Sequence, residues 1–338
     1  MMNPIATIPL EKDDVLSIPF RVVTSADGRR MAVLNTFGMP YAQQLLVIDT
    51  ATQEVVHRER FDSSGEHLFN LDVDISPSGD TVFLVGGVLK DPSGQDFEPT
   101  CTLTRVDVGK GIIGQMPVGE VGFNYVSAAP DGHTALVFYN GANEDADPHF
   151  HIHVIDTDRM ENITTVDTEA PVNNVLFRPA EGRALLSLGR DVVAFDMASY
   201  QVGEKVAPRF NHPYLLAAFA PEEDIIYAAY VASEVVIKTI SVSRKSVIDQ
   251  KSFSWGWTAS SNIVPFGGDH LVLPPGSSAG AICLWNRRTG EIDGQVGLPE
   301  HLILSEPHPD GHRMYLYDYK EQALQLVDAD ELYKKGSA

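Results

Sequence analysis

Asn70-Leu-Asp-Val-Asp-Ile-Ser-Pro-Ser-Gly-Asp-Thr-Val-Phe-Leu-Val-Gly-Gly87, closed by Thr102-Leu-Thr-Arg-Val-Asp-Val108, is the stretch that decides the fold. It reads as an apolar strand, a Ser-Pro-x-Gly turn, a second apolar strand, a loop, and a third strand ending near an Asp. Pro presets φ for a turn and Gly accepts a positive φ, so Pro77 to Gly79 reverses the chain. Val, Leu, Phe and Ile crowd the flanking runs and suit strands.

The unit recurs. Its turn returns as Ser25-Ala-Asp-Gly28, Ala129-Pro-Asp-Gly132, Arg178-Pro-Ala-Glu-Gly182, Ala220-Pro-Glu-Glu-Asp224, Val264-Pro-Phe-Gly-Gly268 and His308-Pro-Asp-Gly311. The position equivalent to Pro77 falls at 26, 77, 130, 179, 221, 265 and 309, giving spacings of 51, 53, 49, 42, 44 and 44. Periods of this size with four short strands each predict an all-β, seven-bladed β-propeller of four-stranded antiparallel blades. An eight-bladed ring or tandem β-sandwiches are the alternatives, and seven matched turns speak against both.

The blades are expected over 17–61, 68–118, 122–166, 172–206, 213–251, 258–297 and 302–328, within a single domain over 1–338. The last repeat lacks a fourth strand, while Pro4-Ile-Ala-Thr-Ile-Pro-Leu10 is spare. Strand 4–10 is therefore expected to complete the last blade, pairing two otherwise bare edges.

Lys and Arg number 25 against 46 Asp and Glu, a net charge of −21. That balance argues against nucleic acid and against insertion into or binding to anionic membranes, and suits a basic protein partner. No window approaches the roughly 18 apolar residues of a membrane span. No signal peptide is visible at the N-terminus, so the expected location is cytoplasmic, or periplasmic for a mature, processed chain. Cys101 and Cys283 fall in equivalent strands of distant repeats and read as buried thiols, not as a disulfide or metal pair.

Function is expected on the face that carries the irregular loops, opposite the short Pro-Asp-Gly turns. Two long excursions lie there, Gly86 to Thr100 and Asn140 to Phe150. Loops entering the first strands bring His67, Phe69, Phe123, Tyr125, Asn174, His212, Tyr214, Trp255, Trp257 and His301, a candidate ligand or partner face. The competing reading has these side chains plugging the centre and packing the blades.

His149-Phe-His-Ile-His153 places three imidazoles on one face of a strand. With Asp147 nearby, His149 and His151 form a candidate divalent-metal site. Same-face neighbours on a strand are roughly 7 Å apart, long for one shared ion. The alternative is a half-buried structural strand. No phosphate loop, nucleophile elbow or haem-attachment motif occurs, so no catalytic residue is assigned and no cofactor is expected on this chain.

Val47-Ile-Asp-Thr50 and His153-Val-Ile-Asp-Thr157, each following such a turn and strand, resemble the YVTN-type propeller repeat. Ile75 to Phe83, Phe97 to Asp107, Leu188 to Asp196 and Gly294 to Pro299 resemble the β subunit of quinohemoprotein amine dehydrogenases, in the amine dehydrogenase propeller superfamily. That resemblance implies a non-catalytic propeller subunit that docks a partner and walls a substrate or ligand pocket. It also implies a quinone cofactor and haem on partner chains, within an oxidoreductase complex. Two other readings stand beside it: a stand-alone propeller enzyme (metal-assisted hydrolase, lyase or isomerase), and a generic protein-interaction propeller.

Overall fold

The computed structural model describes residues 4–10, 18–37, 42–61, 68–89, 97–141, 149–207, 209–210, 215–218, 223–231, 235–253, 263–273, 281–298 and 301–329. The N-terminal strand is β1 (Ala6–Pro9). Blade 1 is β2 (Ile18–Thr24), β3 (Arg30–Phe37), β4 (Ala42–Asp49) and β5 (Val55–Phe61). Blade 2 is β6 (Leu68–Ile75), β7 (Thr81–Leu89), β8 (Phe97–Asp107) and β9 (Gly111–Glu120). Blade 3 is β10 (Phe123–Ala128), β11 (Thr134–Asn140), β12 (Phe150–Asp156) and β13 (Glu161–Thr168). Blade 4 is β14 (Val172–Arg178), β15 (Arg183–Leu188), β16 (Asp191–Asp196) and β17 (Gln201–Ala207). Blade 5 is β18 (Leu215–Ala217), β19 (Ile225–Val231), β20 (Val235–Ser241) and β21 (Ser246–Phe253). Blade 6 is β22 (Val264–Phe266), β23 (His270–Leu273), β24 (Ala281–Asn286) and β25 (Ile292–Gly297). Blade 7 holds β26 (Leu302–Pro307), β27 (Arg313–Asp318) and β28 (Ala323–Asp328).

Seven four-stranded antiparallel sheets make this an all-β, seven-bladed propeller. Blade 7 has the strand order β1-β28-β27-β26, so the N-terminal strand does supply its missing fourth member. Ile5 N–H donates to Leu326 O at 2.7 Å, and Leu10 N–H to Gln322 O at 3.1 Å. Among the described residues the helical content is one 3-10 turn, Pro179–Glu181.

The chain packs as two compact units. One comprises Met1–Ile5, Val172–Asp318 and Gln325–Ala338; the other comprises Ala6–Pro171 and Tyr319–Leu324. Within each, the core lies between successive blades. Leu34, Leu45 and Val47 of blade 1 meet Val73, Val82 and Leu84 of blade 2. Leu185 and Val192 of blade 4 meet Leu216, Ile226 and Ile240 of blade 5. In blade 1, β3 and β4 are buried along most of their length on both faces, with apolar centres at Met31–Leu34 and Leu45–Ile48, while β5 alternates toward solvent.

The turns behave as their residues dictate. Gly28, Gly79, Gly132 and Gly311 take φ of 71°, 74°, 76° and 72°. Each donates its N–H to the carbonyl three residues back. Asp27, Asp131 and Asp310 accept backbone N–H groups two residues on, fixing the reversal from inside the turn. The hairpins between third and fourth strands use Asp49, Asp156, Asp196 and Asn286 in the same way. Cys101 and Cys283 are both buried, in β8 and β24.

Candidate functional site

Counting four residues back from the opening residue of each turn (25, 76, 129, 178) reaches Arg21, Asp72, Tyr125 and Asn174. These occupy equivalent places in the first strands β2, β6, β10 and β14. In three of those strands a register shift sits just before the residue, between Pro19 and Arg21, Asn70 and Asp72, and Val172 and Asn174. A bulge bends its strand and re-aims the side chain that follows.

The first strand of a blade has one edge without a sheet partner, and its N–H groups need acceptors. This tier supplies them. Asp72 Oδ2 accepts Val126 N–H of the next blade at 3.1 Å, and Asn174 Oδ1 accepts Leu216 N–H at 3.0 Å. Two residues further along β6, Asp74 Oδ2 accepts Ala128 N–H at 2.8 Å and Oδ1 accepts Ile75 N–H at 2.8 Å. Gln43 links blades 1 and 2 by a paired exchange: its Oε1 accepts Asn70 N–H and its Nε2 donates to Asn70 O.

Arg21 is the charged exception. Its Nε lies 3.0 Å from Asp72 Oδ1. The angle is not that of a hydrogen bond, so the pairing is one of charge. Asp72 is 2% exposed. Burial pushes its carboxyl up, opposed by Arg21 and by the N–H groups of Val126 and Val73. Asp74 is pushed up to about 6 by burial and by the charge of Asp72, against two backbone N–H donors and Arg21. Tyr125 is 39% exposed. Burial, then the Asp72 charge, raises its phenol against the pull of Arg21, so it stays an O–H donor at neutral pH.

Of the other expected face residues, Phe69 and Phe123 lie in β6 and β10 by their backbones. His301 Nε2 lies 3.9 Å from the Asp318 carboxylate. His67, His212, Tyr214, Trp255, Trp257 and Asp147 fall outside the described residues. Part of the Gly86 to Thr100 excursion is sheet, since Leu89 pairs with Phe97. Sequence reasoning picked Tyr125 and Asn174 from this tier and missed Arg21, Asp72 and Asp74. The signal was the fixed offset from the turn.

His151 and His153 sit closer than strand spacing suggests, with ring centroids 4.6 Å apart at 80°. The rings lean together because His151 stacks on its cross-strand neighbour Tyr139 (4.7 Å, 24°). His153 Nδ1 contacts Thr165 Oγ1 at 3.0 Å, while its Nε2 is buried without a hydrogen-bond partner. That Nε2 faces Gly119, where a Cβ would stand 3.0 Å away and 3.9 Å from His151 Nε2. Burial, with the His151 charge adding, takes His153 down to about 4, so its imidazole is neutral at pH 7. Burial also lowers His151, against Asp167 and Glu120. His149, before β12, is exposed. Nitrogens of this kind are ligand-competent, but among the described residues no three His, Cys, Asp or Glu side chains are grouped to hold a metal.

No family model matches this chain, and no curated protein matches it. Among solved structures, it is similar to Kuenenia stuttgartiensis Hydrazine Synthase, with a TM-score of 0.62 at 18% identity. The match covers 94% of this chain and 97% of that one. Matching chains number 1225, so the likeness establishes the architecture and selects no activity.

Proposed function

We propose that this chain is a non-catalytic binding propeller that docks a protein partner and walls a ligand pocket. This follows the resemblance to the quinohemoprotein amine dehydrogenase β subunit. The observation that carries the reading is Arg21, a guanidinium on a first strand, steadied by buried Asp72 and 34% exposed at its side chain. Neighbouring first-strand side chains are spent on backbone N–H groups; Arg21 and Tyr125 keep donors to offer. A net charge of −21 favours a basic partner by complementarity. On this reading any quinone or haem belongs to the partner chains. Size-exclusion chromatography with light scattering on untagged protein from its native host tests it. The expected result is a stoichiometric heteromeric complex, and a chain that always elutes alone refutes it.

A second reading, a stand-alone metal-assisted enzyme, draws on the unpartnered His153 Nε2 beside His151. It predicts a divalent metal in untagged protein at about one ion per chain. Substoichiometric metal, with His151→Ala and His153→Ala leaving the content unchanged, removes it.

A further inference from the structure

We propose that Arg21 and Tyr125 form a carboxylate-binding subsite for a small monoanion with an apolar or aromatic body. The proposal rests on the binding-propeller reading and deepens it by naming the ligand class.

A guanidinium is a planar fork whose Nε and two Nη groups all donate. Arg21 Nε lies 3.0 Å from Asp72 Oδ1, a contact of charge and not an aligned hydrogen bond. No described residue accepts from Nη1 or Nη2, and the side chain is 34% exposed. The charge of buried Asp72 thus steadies the fork at its Nε side and leaves the two Nη groups without a partner among the described residues, a pair of donors of the kind that meets a carboxylate bidentately. Asp72 is itself held, because its other oxygen takes the N–H of Val126. The fork is pre-positioned by a buried anchor, and a ligand does not have to order it.

Tyr125 belongs to the same place. It precedes Val126, so the two oxygens of Asp72 bridge Arg21 and the backbone beside Tyr125. Val126 is buried in the core between blades 2 and 3. Alternation then sends Tyr125 to the opposite side, where it is 39% exposed with no hydrogen-bond partner among the described residues. Its O–H adds a third donor, and its ring face offers apolar contact.

The charge balance selects the ligand class. One cation already shared with Asp72, in a chain of net charge −21, suits a single negative charge better than a phosphate dianion.

The test is isothermal titration of the isolated chain with benzoate, with benzamide as the neutral isostere and inorganic phosphate as the dianion. Saturable benzoate binding is expected, with benzamide at least about tenfold weaker because the charge-assisted pair is lost. Arg21→Lys keeps a charge beside Asp72 but loses the fork, and is expected to weaken benzoate about tenfold. Tyr125→Phe is expected to weaken it about threefold. Tyr125 is solvent-exposed, so this variant carries the test if Arg21→Lys fails to fold. Equal affinity for benzamide, tighter binding of phosphate, or no benzoate binding overturns the proposal. So does benzoate affinity unchanged in Tyr125→Phe and in a folded Arg21→Lys. Because the titration uses the isolated chain, it fails or succeeds independently of whether a partner subunit is found.

Discussion

Replacing Asp74 with Asn should change how stability depends on pH, and the size of the change follows from the structure. Asp74 has a carboxyl raised from 3.8 to about 6, first by burial, with the Asp72 charge adding. The sign follows from comparing the two states. Between the unfolded and folded values the native protein holds a proton that the unfolded chain has lost. The contribution to stability is greatest at low pH, shrinks as pH rises through this window, and is gone above about 6. Linkage across 3.8 and 6 gives about 2 kcal/mol between about pH 4.5 and about pH 7.5. Asp74 is of intermediate exposure, so water screens part of this and the figure is an upper one. Carboxyls lowered by their surroundings act in the opposite sense but lower on the scale. Asp310 falls to about 2, its burial outweighed by the His312 N–H, Arg313 and His308, and its contribution is lost as pH falls below the window. Asn keeps one oxygen for either Ala128 or Ile75 and strands the other N–H, a pH-independent loss of about 1–3 kcal/mol. Urea unfolding of both proteins at the two pH values is the assay, compared at unchanged m. The wild-type advantage should be larger at the lower pH by up to about 2 kcal/mol. A difference flat to within about 0.5 kcal/mol would refute the assignment of Asp74 as the raised group.

Other outcomes follow from single features. Gly119→Ala forces a side chain onto φ +109° with its Cβ 3.0 Å from His153 Nε2. It should lose about 1–3 kcal/mol in a denaturant titration, and an unchanged midpoint would show that the contact gives way freely. Deleting Met1 to Leu10 bares the β28 edge and removes buried Ile8 and Leu10. It should destabilise by about 3–6 kcal/mol and promote association, read by thermal melts and light scattering. Cys101 and Cys283 are 0% and 1% exposed. Burial pushes both thiols up to about 12, so an aromatic disulfide reagent should find no fast thiol until the protein is unfolded. Rapid modification of either thiol in native protein would contradict their placement.

The repeat that opens at Asn70 determined the architecture without help, because the physics of its turns is local. Gly79 needs its positive φ, Asp27 and Asp131 cap their own reversals, and the recurrence of such a turn along the sequence marks out the blades. The closing strand was legible for a related reason: β28 needs an edge partner and 4–10 was the segment left over. The His149 to His153 alternation was also legible as a shared face, but not the tilt that brings two rings to 4.6 Å, since that depends on Tyr139 across the sheet. Arg21, Asp72 and Asp74 look in sequence like ordinary strand residues. Their roles arise from pairing between residues about 50 apart, where one blade's carboxylate meets the next blade's N–H or the previous blade's guanidinium. Such partners are chosen by blade packing and by a bulge that turns Asp72 toward its neighbour, and neither is written in the local run of residues. The sequence by itself thus determined blade number, turn chemistry and closure. Only the tertiary structure decided which polar side chains are consumed in joining blades and which, Arg21 and Tyr125, keep donors to spare.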